Sequence, residues 1–269
     1  MSHGRIGYED IPEPAASAAA QSWWDANAAE YLEENGDFLG DAEFVWGPEG
    51  LRESQAQLLG PTDRLVGKQI LEIGSGAGQC SRWLARHGAR VVASDLSHAM
   101  LVAGRQIDET AGMRVPVVQC DARTLPFADR SFDAAFTSFG AIPFVPDARR
   151  IHAEIFRVLA PGGRWVCSVT HPARWMFPDD PTRHGTTITR SYFARDPYVE
   201  FDAAGRVEYA EYHRTLGDHV RDIAASGLRI VDVVEPEWPH ENTNVWGGWG
   251  PERGALLPGT AIFVCDKPA

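Results

Sequence analysis

Lysine is nearly absent from this chain. Of 25 basic residues only Lys68 and Lys267 are lysines, and 37 acidic residues leave a formal net charge of −12. That balance disfavours a general phosphate-seeking surface, so no nucleic-acid partner is expected. Cysteine is scarce too: Cys80, Cys120, Cys167 and Cys265 stand far apart, without the C-x-x-C pairing of a metal or redox site. They read as small apolar fillers, and free thiols fit a reducing cytoplasm. No run of 18 apolar residues occurs, so no transmembrane helix and no membrane partner are expected. Met1–Pro14 lacks a basic stretch followed by an apolar one, which argues against export and makes a cytoplasmic location the expectation. Internal repeats are absent, and the only biased tract is the alanine run at 15–20.

What is present is a core-forming composition and one glycine motif. Apolar residues make up 44% of 269 positions, enough for one full α/β domain or slightly more. Residues 70–78 read Ile-Leu-Glu-Ile-Gly-Ser-Gly-Ala-Gly. An apolar strand, Gln69–Ile73, runs into a turn with Gly74, Gly76 and Gly78, and a helical pattern follows at Cys80–His87. Glycines let the backbone bend sharply and approach a ligand, and the helix start offers free N–H groups. The dinucleotide fingerprint is G-x-G-x-x-G. Here the third glycine comes one residue early, and Glu72 sits inside the strand. A carboxylate there repels a pyrophosphate and welcomes an ammonium. Asp95 lies 21 residues after Gly74, at the end of a second apolar run. An acid about 20 residues on is placed to accept from ribose hydroxyls. An adenosine-containing ligand with a positive end satisfies both acids, and S-adenosyl-L-methionine is such a ligand.

The rest of the chain alternates. Strands are expected at 69–73, 90–94, 116–120, 132–138 and 163–169, with helices at about 79–87, 97–109 and 147–159. This alternation predicts a parallel, doubly wound α/β sheet. Before it, residues 1–16 read as loosely ordered. A helix capped at Ser17 or Ser22 runs to about Asn35, and a second covers Gly50–Leu59. After Thr170 the pattern breaks. Thr186–Phe193 and Arg206–Arg214 alternate and read as a two-stranded insertion, before a helix at Leu216–Ser226 and strands at Leu228–Val234 and Thr260–Asp266. Residues 235–258 form a long loop carrying Trp238, His240, Trp246 and Trp249.

LEIGSGAGQ resembles the first motif of class I S-adenosylmethionine-dependent methyltransferases of the small-molecule type. SDLS (94–97) resembles the second, residues 119–145 the third and fourth, and EIFRVLAPGGRWVCSV (154–169) the fifth, in the family's order across about 65–170. The arginine, alanine and glycine bias points to a GC-rich, actinobacterial source. The resemblance implies a Rossmann-like seven-stranded sheet of order 3-2-1-4-5-7-6 with strand 7 antiparallel. It also implies a helical cap over 1–60, and a methyltransferase domain over 61–269 whose insertion, about 171–214, acts as a lid. S-adenosyl-L-methionine is the implied cofactor, with a small-molecule acceptor methylated at oxygen, nitrogen or a carboxylate. A non-methylating enzyme of the same fold, or a cofactor-sensing binding protein, are the alternatives, since fold alone does not fix function. The Asn/Asp-Pro-Pro-aromatic motif of nucleic-acid amino methylases is missing after the fourth strand, where Thr137–Ile142 stands instead.

In open parallel sheets ligands bind beyond the carboxyl ends of the strands. That rule collects Glu72, Gly74, Ser75, Gly76 and Gly78 from the first strand end, Asp95 and Leu96 from the second, Asp121 and Ala122 from the third, and Ser138 and Phe139 from the fourth. Glu72 is expected near the methionine ammonium, or else satisfying local backbone donors. Asp95 is expected at the ribose, or else as a helix cap, a role Ser97 fits equally. The resemblance places Asp121 at the adenine amino group, beside the Ala122 N–H. Leu96, Met100 and Leu125 would pack the adenine, although Met100 alone reads as plain core. Tyr31 and Trp46 from the cap are counted among the cofactor-binding residues, as rings able to hold a sulfonium. For a protonated acceptor a base is needed. His171, directly after the fifth strand, is the first candidate and His213, in the insertion, the second; His240 in the late loop is also possible.

Overall fold

The protein is described here from a computed structural model that covers residues 4–269. In chain order the elements are β1 (Ile6–Tyr8), α1 (Glu13–Leu39), α2 (Glu53–Ala56), β2 (Gln69–Ile73), α3 (Gln79–Arg86), β3 (Arg90–Asp95) and α4 (His98–Thr110). Then come β4 (Val117–Gln119), β5 (Phe132–Ser138), α5 (Ala148–Val158), β6 (Leu159–Thr170), β7 (Tyr198–Phe201) and β8 (Val207–Glu211). The chain closes with α6 (Leu216–Ala225), β9 (Arg229–Val234), α7 (Pro251–Gly254) and β10 (Thr260–Asp266).

Seven strands form one sheet in the order β4-β3-β2-β5-β6-β10-β9. The first five run parallel, and β10 is antiparallel to both its neighbours. Counted in chain order within that sheet, this is the 3-2-1-4-5-7-6 arrangement with strand 7 reversed. Central strands covered on both faces need apolar residues at successive positions. Ile70 and Leu71 of β2, Ala135 and Phe136 of β5, Trp165 and Val166 of β6, and Ile262 and Phe263 of β10 are all buried. Because side chains alternate, each pair divides between two cores. Leu71, Ala135, Trp165 and Phe263 pack with α5 and α6 residues. Ile70, Phe136, Val166 and Ile262 pack with Trp83 and Leu84 of α3 and with Phe44. Helices α4, α5 and α6 begin at side-chain caps: Ser97 accepts from the Met100 N–H, Asp147 from Arg149, and Thr215 shares a reciprocal capping box with Asp218. Among the described residues no helix is long and apolar enough to cross a membrane.

Three segments differ from the sequence expectation. The stretch read as loosely ordered over 1–16 contains β1, paired antiparallel to β7, and the start of α1; residues 1–3 lie outside the described residues. The helix expected over Gly50–Leu59 shrinks to the single turn α2. The buried Glu53 carboxylate accepts from the Trp46 indole N–H (2.9 Å) and from the Leu58 and Leu59 amides (3.0 and 2.8 Å), while Gln57 turns into the left-handed region. One tertiary acceptor thus outcompetes helix continuation. The insertion supplies two strands, as expected, but these are β7 and β8, and β1 from the N-terminal segment joins them in one sheet, β1-β7-β8. Thr186–Phe193 is not one of its strands: the Thr189 and Arg190 amides instead donate to the Met176 carbonyl, at 2.8 and 3.2 Å.

Candidate functional site

The site grows from the β2 turn. Gly74 lies at φ 61°, and a Cβ there would meet the Ala141 amide nitrogen at 2.9 Å. The turn therefore packs directly on the loop after β5, where Phe139 and Ala141 are themselves held at φ 62° and 53°. Non-glycine residues in that region cost conformational energy and mark positions the surroundings over-determine. Arg82 of α3, fully buried, fastens the turn from behind: it donates to the Ala77 carbonyl (2.7 Å) and Asp108 (3.1 Å) through Nη1, and to the Asp41 carbonyl (2.5 Å) through Nε.

In front of the turn is a crevice of about 130 Å³ at the carboxyl end of the sheet. Gly74, Ser75 and Gly76 form its base. Asp95, Leu96 and Met100 line one side, Asp121 and Ala122 the next, and Ser138 and Phe139 the other. Tyr31 closes it from α1. A Cβ on Gly76 would meet nothing within 4 Å, because that side of the residue is open. Asp95 accepts from the Gly76 amide (2.7 Å) and the Ser97 amide (2.8 Å); burial raises its pKa and those bonds oppose the shift. Ser97, not Asp95, caps α4. Burial alone would raise Asp121, but the Arg123 guanidinium holds it below the usual carboxylate range. Arg123 reaches further, to Glu13 and Ser17 of α1, each at 2.5 Å. Asp25 of α1 likewise accepts from Ser97 Oγ and the Ala99 amide. The cap helix is thus tied to the strand ends by two polar clips. No local sequence pattern announced either, since the partners are 72 to 110 residues apart.

Glu72 is buried, and its Oε2 accepts from the Ser81 amide and hydroxyl. Burial pushes its pKa up to about 8. It opens on a side cavity of about 40 Å³ that shares Tyr31, Ser75, Gln79, Ser138 and Phe139 with the crevice.

Other expected residues lie elsewhere. Gly78 caps α3 without lining the crevice. Trp46 is fully buried against Phe44 and Phe136, its N–H committed to Glu53. Leu125 belongs to the sheet core. His171 donates through Nε2 to Glu235 (2.7 Å) and accepts at Nδ1 from the Ala173 amide (3.1 Å), capping the short turn 172–176. Its ring lines none of the described cavities; Thr170, one residue earlier, faces the open side. His171 lies one residue past the end of β6, where capping the following turn and bonding to Glu235 commit its ring. His213 is buried between Trp175 and Tyr192, with Nε2 donating to the Tyr192 carbonyl. Burial lowers the pKa of both histidines. His240 is exposed and lines no described cavity. The geometry therefore brings the glycine, aspartate and Phe139 positions together and leaves Trp46 and the histidines out.

A larger cleft of about 920 Å³ adjoins the crevice. The two share Trp24, Tyr31, Phe139 and Phe144 as a common wall. Trp246 of the late loop packs edge-on against Tyr31 and Phe139 and closes one end. The sheet β1-β7-β8 supplies the far side.

A family model described as a methyltransferase domain matches residues 70–163. A demethylmenaquinone methyltransferase of Clavibacter sepedonicus is 46% identical over 110 residues, 40% of this chain and 44% of that protein. The chain thus spans about half the length of several curated relatives it matches. The demethylmenaquinone methyltransferase of Corynebacterium kroppenstedtii is 35% identical over 212 residues, 77% of this chain and 85% of that protein. A solved S-adenosylmethionine-dependent methyltransferase from Mesorhizobium loti shares 26% identity at a TM-score of 0.62, over 82% of this chain and 100% of that one. With the family match spanning residues 70–163, a relative covered over most of its length and the seven-stranded order, the chain belongs to the class I S-adenosylmethionine-dependent methyltransferases.

Proposed function

We propose that this protein transfers a methyl group from S-adenosylmethionine to a small, ring-bearing acceptor held in the aromatic cleft. The observation that carries the reading is the shared wall: one crevice with acids at its strand ends shares Trp24, Tyr31, Phe139 and Phe144 with a second cavity lined by rings. Bound S-adenosylmethionine would supply an electrophilic methyl on a sulfonium, with S-adenosylhomocysteine as the leaving group once the acceptor atom bonds the methyl carbon. On this reading Asp95 accepts from the ribose hydroxyls, Asp121 faces the adenine amino group, and Leu96 and Met100 pack the base. Glu72, across the side cavity, favours the methionine ammonium. Tyr31 and Phe139, common to both cavities, stand where donor and acceptor meet. Holding two reactants in line supplies ~7–11 kcal/mol of a displacement barrier, so alignment is the main contribution asked of these walls. The relatives named for demethylmenaquinone support a flat acceptor for this chain. The acidic charge and the missing amino-methylase motif speak against nucleic acid, and a cytoplasmic setting suits free thiols.

Calorimetric titration with S-adenosylhomocysteine and with NAD tests the cofactor half: stoichiometric binding of the first and none of the second is expected, and the reverse ends the reading. The transfer half is tested by mass spectrometry of S-adenosylhomocysteine release across a panel of phenols, amines and quinols. Acceptor conversion without S-adenosylhomocysteine release would instead establish the non-methylating alternative.

A further inference from the structure

The sheet β1-β7-β8 buries Val199, Phe201 and Ala210 on one face. Its other face, set by the two-residue alternation of strands, presents Tyr8, Tyr198, Glu200, Tyr209 and Glu211 to the large cleft. The register sets Tyr198 opposite Glu211 and Tyr209 opposite Glu200. Each phenol donates along its own strand, Tyr198 to Glu200 at 2.7 Å and Tyr209 to Glu211 at 3.0 Å. The result is a checkerboard of two carboxylates and two phenols on one cavity wall.

Neither carboxylate has an ion pair among the described residues. The cleft's own cations are engaged elsewhere: Arg174 pairs with Asp179 (3.0 Å), and Arg190 pairs with Asp196 (3.3 Å) while stacking 3.5 Å over Tyr8. Both carboxylates are half-buried with no cation paired to them, and a neutral phenol donor offsets only part of the desolvation cost. Around the checkerboard stand rings that attract cations: Trp23 is 5.1 Å from Tyr209, Trp175 is 6.3 Å from Tyr198 and Phe144 is 6.0 Å from Tyr209. Desolvation raises the Glu211 pKa; Arg174, Tyr209 and Thr170 oppose that shift and Asp179 reinforces it. Glu200 and Tyr198 face Glu211 from β7.

We infer that the cleft accepts a planar ring system carrying a protonated amine, with Glu200 and Glu211 holding the cation and the surrounding rings stacking the ring system. The inference rests on the proposal that this cleft is the acceptor site. It specifies the charge class of the acceptor and leaves open which atom is methylated.

Three indoles of equal ring and different charge test it by calorimetry on the full chain with S-adenosylhomocysteine bound: tryptamine, tryptophol and indole-3-acetate. Tryptamine is expected to bind at least about tenfold more tightly than tryptophol, the scale of one charged hydrogen bond, and indole-3-acetate weakest. Glu200→Gln and Glu211→Gln should each erode the tryptamine preference, and the double variant should abolish it, with tryptophol and S-adenosylhomocysteine affinities unchanged. Equal affinities for tryptamine and tryptophol, preference for indole-3-acetate, no tryptamine binding at millimolar concentration, or an intact preference in the double variant would each overturn the inference. Loss of S-adenosylhomocysteine binding by the unaltered protein would instead remove the methyltransferase reading beneath it.

Discussion

Changing pH, or replacing Glu72 with Gln, perturbs the buried acid that lines the side cavity beside the crevice. Glu72 is almost wholly inaccessible, and its carboxyl sits at about 8 against an ordinary value of 4.5. At pH 7, about one unit below that value, roughly 90% of the ligand-free protein holds this proton. An ammonium delivered to the side cavity favours the carboxylate, so binding must expel the proton. The sign follows: the free protein binds more protons than the complex, and affinity therefore rises with pH until about 8 and then levels off. The limit is about tenfold per pH unit, since one unit of pKa is worth ~1.4 kcal/mol. Titration of S-adenosylhomocysteine in buffers of different ionisation enthalpy reads the released protons directly. Close to one proton is expected at pH 7 and none at pH 9. Glu72→Gln should release none and flatten the pH profile. Methylthioadenosine, which has no ammonium, should release none even with the unaltered protein. Equal proton release from Glu72→Gln, or from methylthioadenosine, refutes the pairing of Glu72 with the ammonium.

Asp95→Ala should weaken S-adenosylhomocysteine binding by ~1–3 kcal/mol, and Gly76→Val should weaken it more by filling the open side of the turn; unchanged affinity in both folded variants would remove the ribose assignment. His171→Ala should cost about 1 kcal/mol of stability, the scale of a lost cap, without slowing single-turnover methylation; a hundredfold slower reaction at normal stability would restore it as a base. Burial of His152 lowers its pKa from 6.5 to about 3. The unfolded chain then binds the extra proton between those values and stability falls on acidification, by about 2 kcal/mol at pH 5. Denaturant melts of His152→Leu should lose that part of the pH slope, and an identical slope would contradict it. Hydrogen exchange should slow over residues 20–46 and 171–214 when cofactor and acceptor bind; identical protection with and without ligands would argue against a moving cover.

β2, β5 and β10 occupy the residues expected of them, because a central strand covered on both faces writes itself as a short apolar run between turn residues. The convergence of Glu72, Asp95 and Asp121 on one end of the sheet was also legible, since parallel topology sends every strand's carboxyl end to the same side. β7 was missed because Tyr198–Phe201 is four residues long, and its alternation means nothing until β1, almost 200 positions away, pairs with it. The helix expected at 50–59 failed for a related reason: Glu53 found three donors in tertiary space.

The sequence by itself determined the class of fold and the cofactor's chemistry, because hydrophobic period and glycine spacing are local. Only the tertiary structure decided which side of its strand each residue serves. It turned His171 toward Glu235 while Thr170 opened on the cleft, and it moved Trp46 into the core. It also brought Tyr198, Glu200, Tyr209 and Glu211 into one wall. A pleat's facing and a cross-strand register depend on long-range pairing, and no window of neighbouring residues contains that pairing.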